Sequence, residues 1–200
     1  KIHAKIYNRV CDASPVRQKL FHWAVDVGRE VSRRQRAGQS IGRLLETQHK
    51  AADRLVLKRV RDVFGGRIRY MVSGAAPIGM ELLEFFHACG IPIMEGYGLT
   101  ETSGPATINR QNEFRFGTVG RDLPICETKI ADDGEILIRG DNVFTGYYND
   151  EAATAEAFTE DGWFRSGDIG EKDAQGFLRI TDRKKELIIT AAGKNVSPAN

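Results

Sequence analysis

The run Ile93-Met94-Glu95-Gly96-Tyr97-Gly98-Leu99-Thr100-Glu101-Thr102 decides how the rest of this 200-residue chain is read. An apolar segment there breaks into a glycine-punctuated turn and then presents hydroxyls beside a carboxylate, as a strand end does when it opens onto a ligand. Gly96 and Gly98 allow the backbone a positive φ or a close approach to a ligand. Tyr97 between them offers a flat apolar face with a polar tip. Thr100 and Glu101 supply a hydroxyl and a hard anionic oxygen, the parts needed to hold a purine, a phosphate and a Mg²⁺ ion. Taken alone, the same ten residues also describe an ordinary strand and tight turn, since glycine and threonine populate such loops.

Working outward, the segment before this run supplies a partner. Ile68, Tyr70, Met71 and Val72 form a short β run, Ser73-Gly74-Ala75-Ala76-Pro77 a turn, residues 80–89 an apolar-faced helix stopped by Gly90, and residues 91–94 a second β run. Two strands joined by a crossover helix lie parallel. The 73–77 turn and the 96–101 turn therefore emerge at one carboxyl edge, where ligands of open α/β sheets bind. Upstream, Ser14-Pro15 is a helix start, with Ser14 as cap, and Val16, Leu20, Trp23, Ala24, Val27 and Val31 recur at helical spacing up to Gly38. Ile41 to Val63 repeats the pattern, so two amphipathic helices precede the first clear strand. Downstream, residues 125–131 and 135–139 flank an Asp132-Asp133-Gly134 turn as a hairpin. Asp150 begins an alanine-rich helix, Trp163 to Asp168 ends a strand with an acid, and residues 173–176 turn the next hairpin into Phe177–Ile180. The charged run 182–185 is a candidate linker before a further β segment at 187–190.

With 41% hydrophobic and 28% charged residues of both signs, the composition excludes wholesale disorder. No apolar run approaches the ~20 residues of a membrane-spanning helix, and the start at Lys1 lacks the apolar core of a signal peptide. A cytoplasmic location, or a peripheral one at a membrane, is expected. Cys11, Cys89 and Cys126 are too scattered for a disulfide or zinc framework, and His3, His22, His49 and His87 lack metal-site spacing. Residues 1–70 carry 17 Lys+Arg against 6 Asp+Glu, or +11, whereas residues 71–200 carry 12 against 21, or −9. Such a basic end is either a solvated helix face or a surface drawn to anionic lipid or a polyanionic ligand. Nucleic acid is disfavoured because no recognised binding motif accompanies the charge.

The P-loop pattern is missing, since Gly193-Lys194 is followed by Asn195, and the dinucleotide fingerprint fails at Glu101. No G-x-S-x-G elbow or H-E-x-x-H appears. Five motifs in one order remain: Ser73-Gly-Ala-Ala-Pro77; Gly96-Tyr-Gly-Leu-Thr-Glu101; Gly134-Glu-Ile-Leu-Ile-Arg-Gly140 with Thr145-Gly-Tyr-Tyr148; Trp163-Phe-Arg-Ser-Gly-Asp168; and Gly176-Phe-Leu-Arg-Ile-Thr-Asp-Arg-Lys-Lys185. In these the chain resembles the adenylate-forming (AMP-binding) superfamily of acyl-CoA synthetases, adenylation domains and luciferases. The arginine-rich helical entry and Gly193-Lys-Asn-Val-Ser-Pro198 make it most similar to the long-chain fatty acid CoA ligases.

The resemblance implies an α/β fold: residues 1–181 the later part of a large adenylating domain, a hinge at Asp182, and 183–200 the start of a small C-terminal domain. It implies that Gly74, Ala75 and Ala76 line an adenine by backbone, that Glu95, Gly96, Tyr97 and Gly98 flank its edge and face, and that Thr100 touches the α-phosphate. Glu101 would hold Mg²⁺, Asp168 would accept both ribose hydroxyls, and Arg183 and Lys185 would approach the ribose and phosphate. Thr100, Glu101 and Lys185 would serve catalysis. The implied cofactors and substrates are ATP or AMP, Mg²⁺, coenzyme A and a fatty acid. The family's phosphate loop would lie upstream of Lys1 and its catalytic lysine downstream of Asn200, so the chain reads as an internal piece unable by itself to exchange ATP and pyrophosphate. Ala192 departs from the second glycine that long-chain members usually carry there. Another carboxylic acid as substrate, or a non-catalytic nucleotide-binding or membrane-associated module, is the alternative.

Overall fold

The structure is a computed structural model that describes residues 2–184 and the backbone of 188–189 and 195–196. The chain divides into two compact units, residues 1–72 with 78–93, and residues 73–77 with 94–200.

The first unit is helical. α1 (Ile2–Cys11), missing from the sequence reading, precedes α2 (Pro15–Arg36), which begins at the predicted Pro15 although the Ser14 side chain makes no capping hydrogen bond. The second expected helix is α3 (Arg43–Ala52), a π turn (Asp53–Leu57) and α4 (Lys58–Asp62) in succession. α5 (Met80–Ala88) packs on α2 so closely that Gly28 faces the Ala88 carbonyl. Phe21, Ala24, Val25 and Val31 of α2, with Leu57, Val60, Leu83, Phe85 and Phe86, are buried as the apolar stripe of this unit. Arg61 binds Asp53 across the π turn and donates to Cys89 O at 3.0 Å, satisfying a carbonyl at the end of α5. On the exposed face of α2, Glu30 accepts from both Arg33 and Arg34. Those hydrogen bonds push its carboxyl down to about 2.

The second unit is β-rich. β1 (Met71–Ser73), in which the division between the units falls, β2 (Ile93–Leu99), β3 (Gly104–Ile108) and β4 (Arg121–Asp122) follow one another in one sheet, β2 antiparallel to β3 and β3 to β4. Gly96 and Gly98 are therefore strand residues and not the predicted turn. A side chain at Gly98 would place its Cβ 2.0 Å from Gly104 O, so the close approach that requires glycine is made by β3. The chain turns only at Thr100–Thr102, a 3₁₀ turn.

A second antiparallel sheet runs β5 (Cys126–Ile130), β6 (Glu135–Gly140), β7 (Phe164–Lys172), β8 (Leu178–Arg183). The 125–139 and 173–176 hairpins form as expected. Asp168, expected to close its strand, sits inside β7, and β8 continues past Ile180 so that Asp182 pairs with Ile169 and Arg183 with Asp168. The predicted linker thus begins within a ladder. Beyond it, β9 (Ile188–Ile189) and β10 (Asn195–Val196) pair antiparallel. α6 (Glu151–Ala157) starts where predicted, capped by Asp150 accepting from Ala153 N. Tyr97, Ala106, Ile136, Ile138, Phe164 and Leu178 form the core of this unit. Beside it Trp163 is buried between the Lys129 ammonium and the Arg139 guanidinium, 4.2 and 4.3 Å from its ring. All three cysteines are free. Among the described residues no helix is long and apolar enough to cross a membrane.

Candidate nucleotide site

β2 places Tyr97 with its ring in the core, 7% exposed, and its hydroxyl donating to Asp168 Oδ2 at 2.7 Å. Burial, and then this bond, push the phenol well above its ordinary ionisation range. Asp168 is itself buried, and Arg183, directly across the β7–β8 ladder, approaches its other oxygen at 3.3 Å. A carboxylate offers about four acceptor sites. Tyr97 and Arg183 use one on each oxygen, so each keeps capacity for a further hydroxyl. Tyr97, Asp168 and Arg183, separated by up to 86 positions in the sequence, are thereby joined by one hydrogen bond and one ion pair.

The second group is backbone. Gly74, Ala75 and Ala76 are exposed, and Ala75 holds φ 68°, a conformation sparsely populated by residues with a side chain. Such local strain concentrates at ligand clamps. A Cβ on Gly74 would lie 3.4 Å from Gly96 O, so this loop does run beside the middle of β2. Glu95 is buried, and its carbonyl accepts from Asn109 N.

At the end of β2, Thr100 is exposed and Glu101 half-buried. Thr102, fully buried, holds this turn: its hydroxyl accepts from Leu99 N at 2.8 Å and donates to Gly104 O at 2.7 Å. Glu101 is held from two directions, its carbonyl by Phe144 N and its carboxylate by the Tyr147 hydroxyl at 3.0 Å. Nothing local in the sequence marks Tyr147 for this task, because its bond to Glu101 spans 46 positions. Among the described residues no group of three or more His, Cys, Asp or Glu could hold a metal ion. A single oriented carboxylate nevertheless fits Mg²⁺, which binds through one or two carboxylates, water and substrate phosphates. Lys185 lies outside the described residues, as does the Gly193–Pro198 motif apart from the backbone of β10.

Comparison with known proteins bears out the resemblance and the fold class. The model of the AMP-binding enzyme family matches residues 29–148. Long-chain-fatty-acid–CoA ligase FadD15 of Mycobacterium bovis is 53% identical over 158 residues, covering 79% of this chain and 26% of the relative. A Mycobacterium tuberculosis fatty acyl CoA synthetase superposes with TM-score 0.58 at 35% identity, over 72% of this chain and 32% of the other. O-succinylbenzoate coenzyme A synthetase from Bacillus subtilis, in complex with ATP and magnesium ion, superposes with TM-score 0.60 at 37% identity, over 66% and 30%. The chain thus spans about a quarter of the length of the curated relative and about a third of the solved structures.

Proposed function

Because this chain belongs to the AMP-binding enzyme family, we propose that the protein ligates a long-chain fatty acid to coenzyme A. ATP and the acid give an acyl-adenylate and pyrophosphate, and the coenzyme A thiol then displaces AMP to form the thioester. The observation that carries the nucleotide part is the buried Asp168 carboxylate, oriented by Tyr97 and Arg183 and retaining acceptor capacity on both oxygens for ribose hydroxyls.

In this reading the Gly74–Ala76 backbone lies along the adenine and the Tyr97 ring supports it, with Glu95, Gly96 and Gly98 forming the floor. Thr100 donates to the α-phosphate. Glu101, oriented by Tyr147, holds Mg²⁺. The ion would supply charge stabilisation on the phosphates. Lys185 approaches the phosphate side, as expected from the sequence. The domain boundary at Asp182 belongs to the same proposal. Support comes from its Oδ2, which is buried without a hydrogen-bond partner, a cost that favours a rearrangement at this residue.

The fatty-acid assignment is supported by the 53% identical relative; the likeness to a synthetase for an aromatic acid keeps another carboxylic acid as the rival. ATP–pyrophosphate exchange by the protein with its full flanking sequence, across a panel of fatty, aryl and amino acids, separates them. Long-chain fatty acids are expected to support exchange most strongly. Losing hydrogen bonds to a charged acceptor costs roughly 1.5–3 kcal/mol each, so Asp168→Ala is expected to lower exchange at least ~10-fold. Exchange at parental rate and parental ATP affinity in that variant would return Asp168 to an ordinary strand residue.

A further inference from the structure

Asp168 does not lie in regular ladder. Between the pairs Glu135↔Ile169 and Leu137↔Arg165, β6 advances by two residues while β7 advances by four, so Ser166, Gly167 and Asp168 bulge away from β6. Gly167 takes φ +72° there, with no atom near where a Cβ would sit. The amides freed by the bulge are caught by side chains. Gly167 N donates to Glu135 Oε1 at 3.0 Å, and Asp168 N donates to the Ser166 hydroxyl at 3.1 Å.

Glu135 is only 2% exposed, and a buried carboxylate is costly unless paired. Its second oxygen receives the Lys184 ammonium at 2.8 Å, with Arg165 at 3.6 Å. Lys184 is shared with Asp133 at 2.7 Å, and Asp133 also accepts from Glu135 N at 3.1 Å. The shared ammonium lowers the Asp133 carboxyl and is itself held protonated above its ordinary range. Lys184 is the first residue after β8, whose last residue, Arg183, reaches Asp168. One buried carboxylate therefore fixes both the bulge that carries Asp168 and the path on which the chain leaves β8.

We propose that Glu135, with Lys184 as its counter-ion, is a positioning residue of the nucleotide site: it sets the shape of the 166–168 bulge and so aims the Asp168 carboxylate at the ribose. This rests on the reading of Asp168 as the ribose ligand. Glu135 touches no substrate and acts only through the Gly167 amide. Loosening it should blur recognition of the ribose hydroxyls and leave the rest of the nucleotide contacts in place.

The test is discrimination between ATP and 2′-deoxyATP, read as the ratio of kcat/KM values for pyrophosphate exchange by the protein with its full flanking sequence. A misfolded fraction lowers both terms equally and cancels. The parent protein is expected to prefer ATP, and Asp168→Ala to lose the preference. Glu135→Ala and Lys184→Met should each lower it at least threefold, and Lys184→Arg should restore it. Where Glu135→Ala fails to fold, Glu135→Met and Lys184→Met decide, the first filling the space while removing the acceptor for Gly167 N. Undiminished preference in the foldable variants of Glu135 and Lys184, with preference lost in Asp168→Ala, overturns the positioning role and leaves the ribose assignment standing. Undiminished preference in Asp168→Ala, or none in the parent, overturns the ribose assignment itself.

Discussion

Tyr97 shows how one residue is used twice. Its ring fills the core of the β-rich unit, while its hydroxyl reaches the buried Asp168 carboxylate. Both circumstances oppose ionisation, burial more strongly than the hydrogen bond. The folded state therefore keeps the phenolic proton at pH values where an unfolded chain has lost it. This contribution to stability is intact below the unfolded pKa of about 10 and fades as the pH rises beyond it. In a spectrophotometric titration of the five tyrosines, Tyr97→Phe should remove phenolate absorbance only from the high-pH end of the curve. Loss of amplitude in the ordinary tyrosine range would mean that the phenol is solvated and the bond to Asp168 is not maintained in solution.

At the scale of elements, the helices and hairpins were legible because their signals are local. Pro15 and the 3.6-residue stripe marked α2, and Asp132-Asp133-Gly134 marked the turn from β5 to β6. What the sequence could not display was glycine used for strand contact. Gly98 sits under the Gly104 carbonyl and Gly170 under the Arg179 carbonyl, where any Cβ would collide. Read locally, Gly96 and Gly98 mark a turn and Asp168 a strand end, whereas β2 runs on to Leu99 and β7 to Lys172. β3 was overlooked because it opens with Gly104-Pro105, residues that argue against a strand. Of the site, Tyr97, Asp168 and Arg183 were visible as motif members, whereas Tyr147 and Glu135 act through partners 46 and 32 positions away. The helical counterpart is Gly28, whose Cβ would lie 2.6 Å from Ala88 O. Alanine is favoured over glycine within a helix by about 1 kcal/mol, but overpacking against rigid backbone costs roughly 1–3 kcal/mol. Gly28→Ala is expected to be destabilising on balance, lowering the melting temperature by roughly 4–8 °C if the net cost is about 1 kcal/mol. An unchanged or raised Tm would show that α2 and α5 are free to separate there.

At the scale of the whole molecule, two units carry separate sets of buried residues, one on α2 and α5 and the other around Ile136, Ile138 and Leu178. Chains with more than one core need not unfold in a single step. Calorimetry is expected to resolve two transitions, with Gly28→Ala displacing one and Leu178→Ala the other; the latter removes a fully buried side chain at a cost of roughly 2–5 kcal/mol. A single transition moved by both substitutions would mean that the units fold as one. The cage around Trp163 makes the same distinction accessible to light. The chain has two tryptophans, Trp163 shielded in the β-rich unit at 6% exposure and Trp23 on α2 of the helical unit at 37%. Water relaxes around an excited indole and shifts its emission to the red, so the two fluorophores differ in colour while the protein is folded. Opening of the β-rich unit frees Trp163 from Lys129 and Arg139 and moves the blue component, while the red one follows the helices, giving each unit its own intrinsic optical reporter without a label.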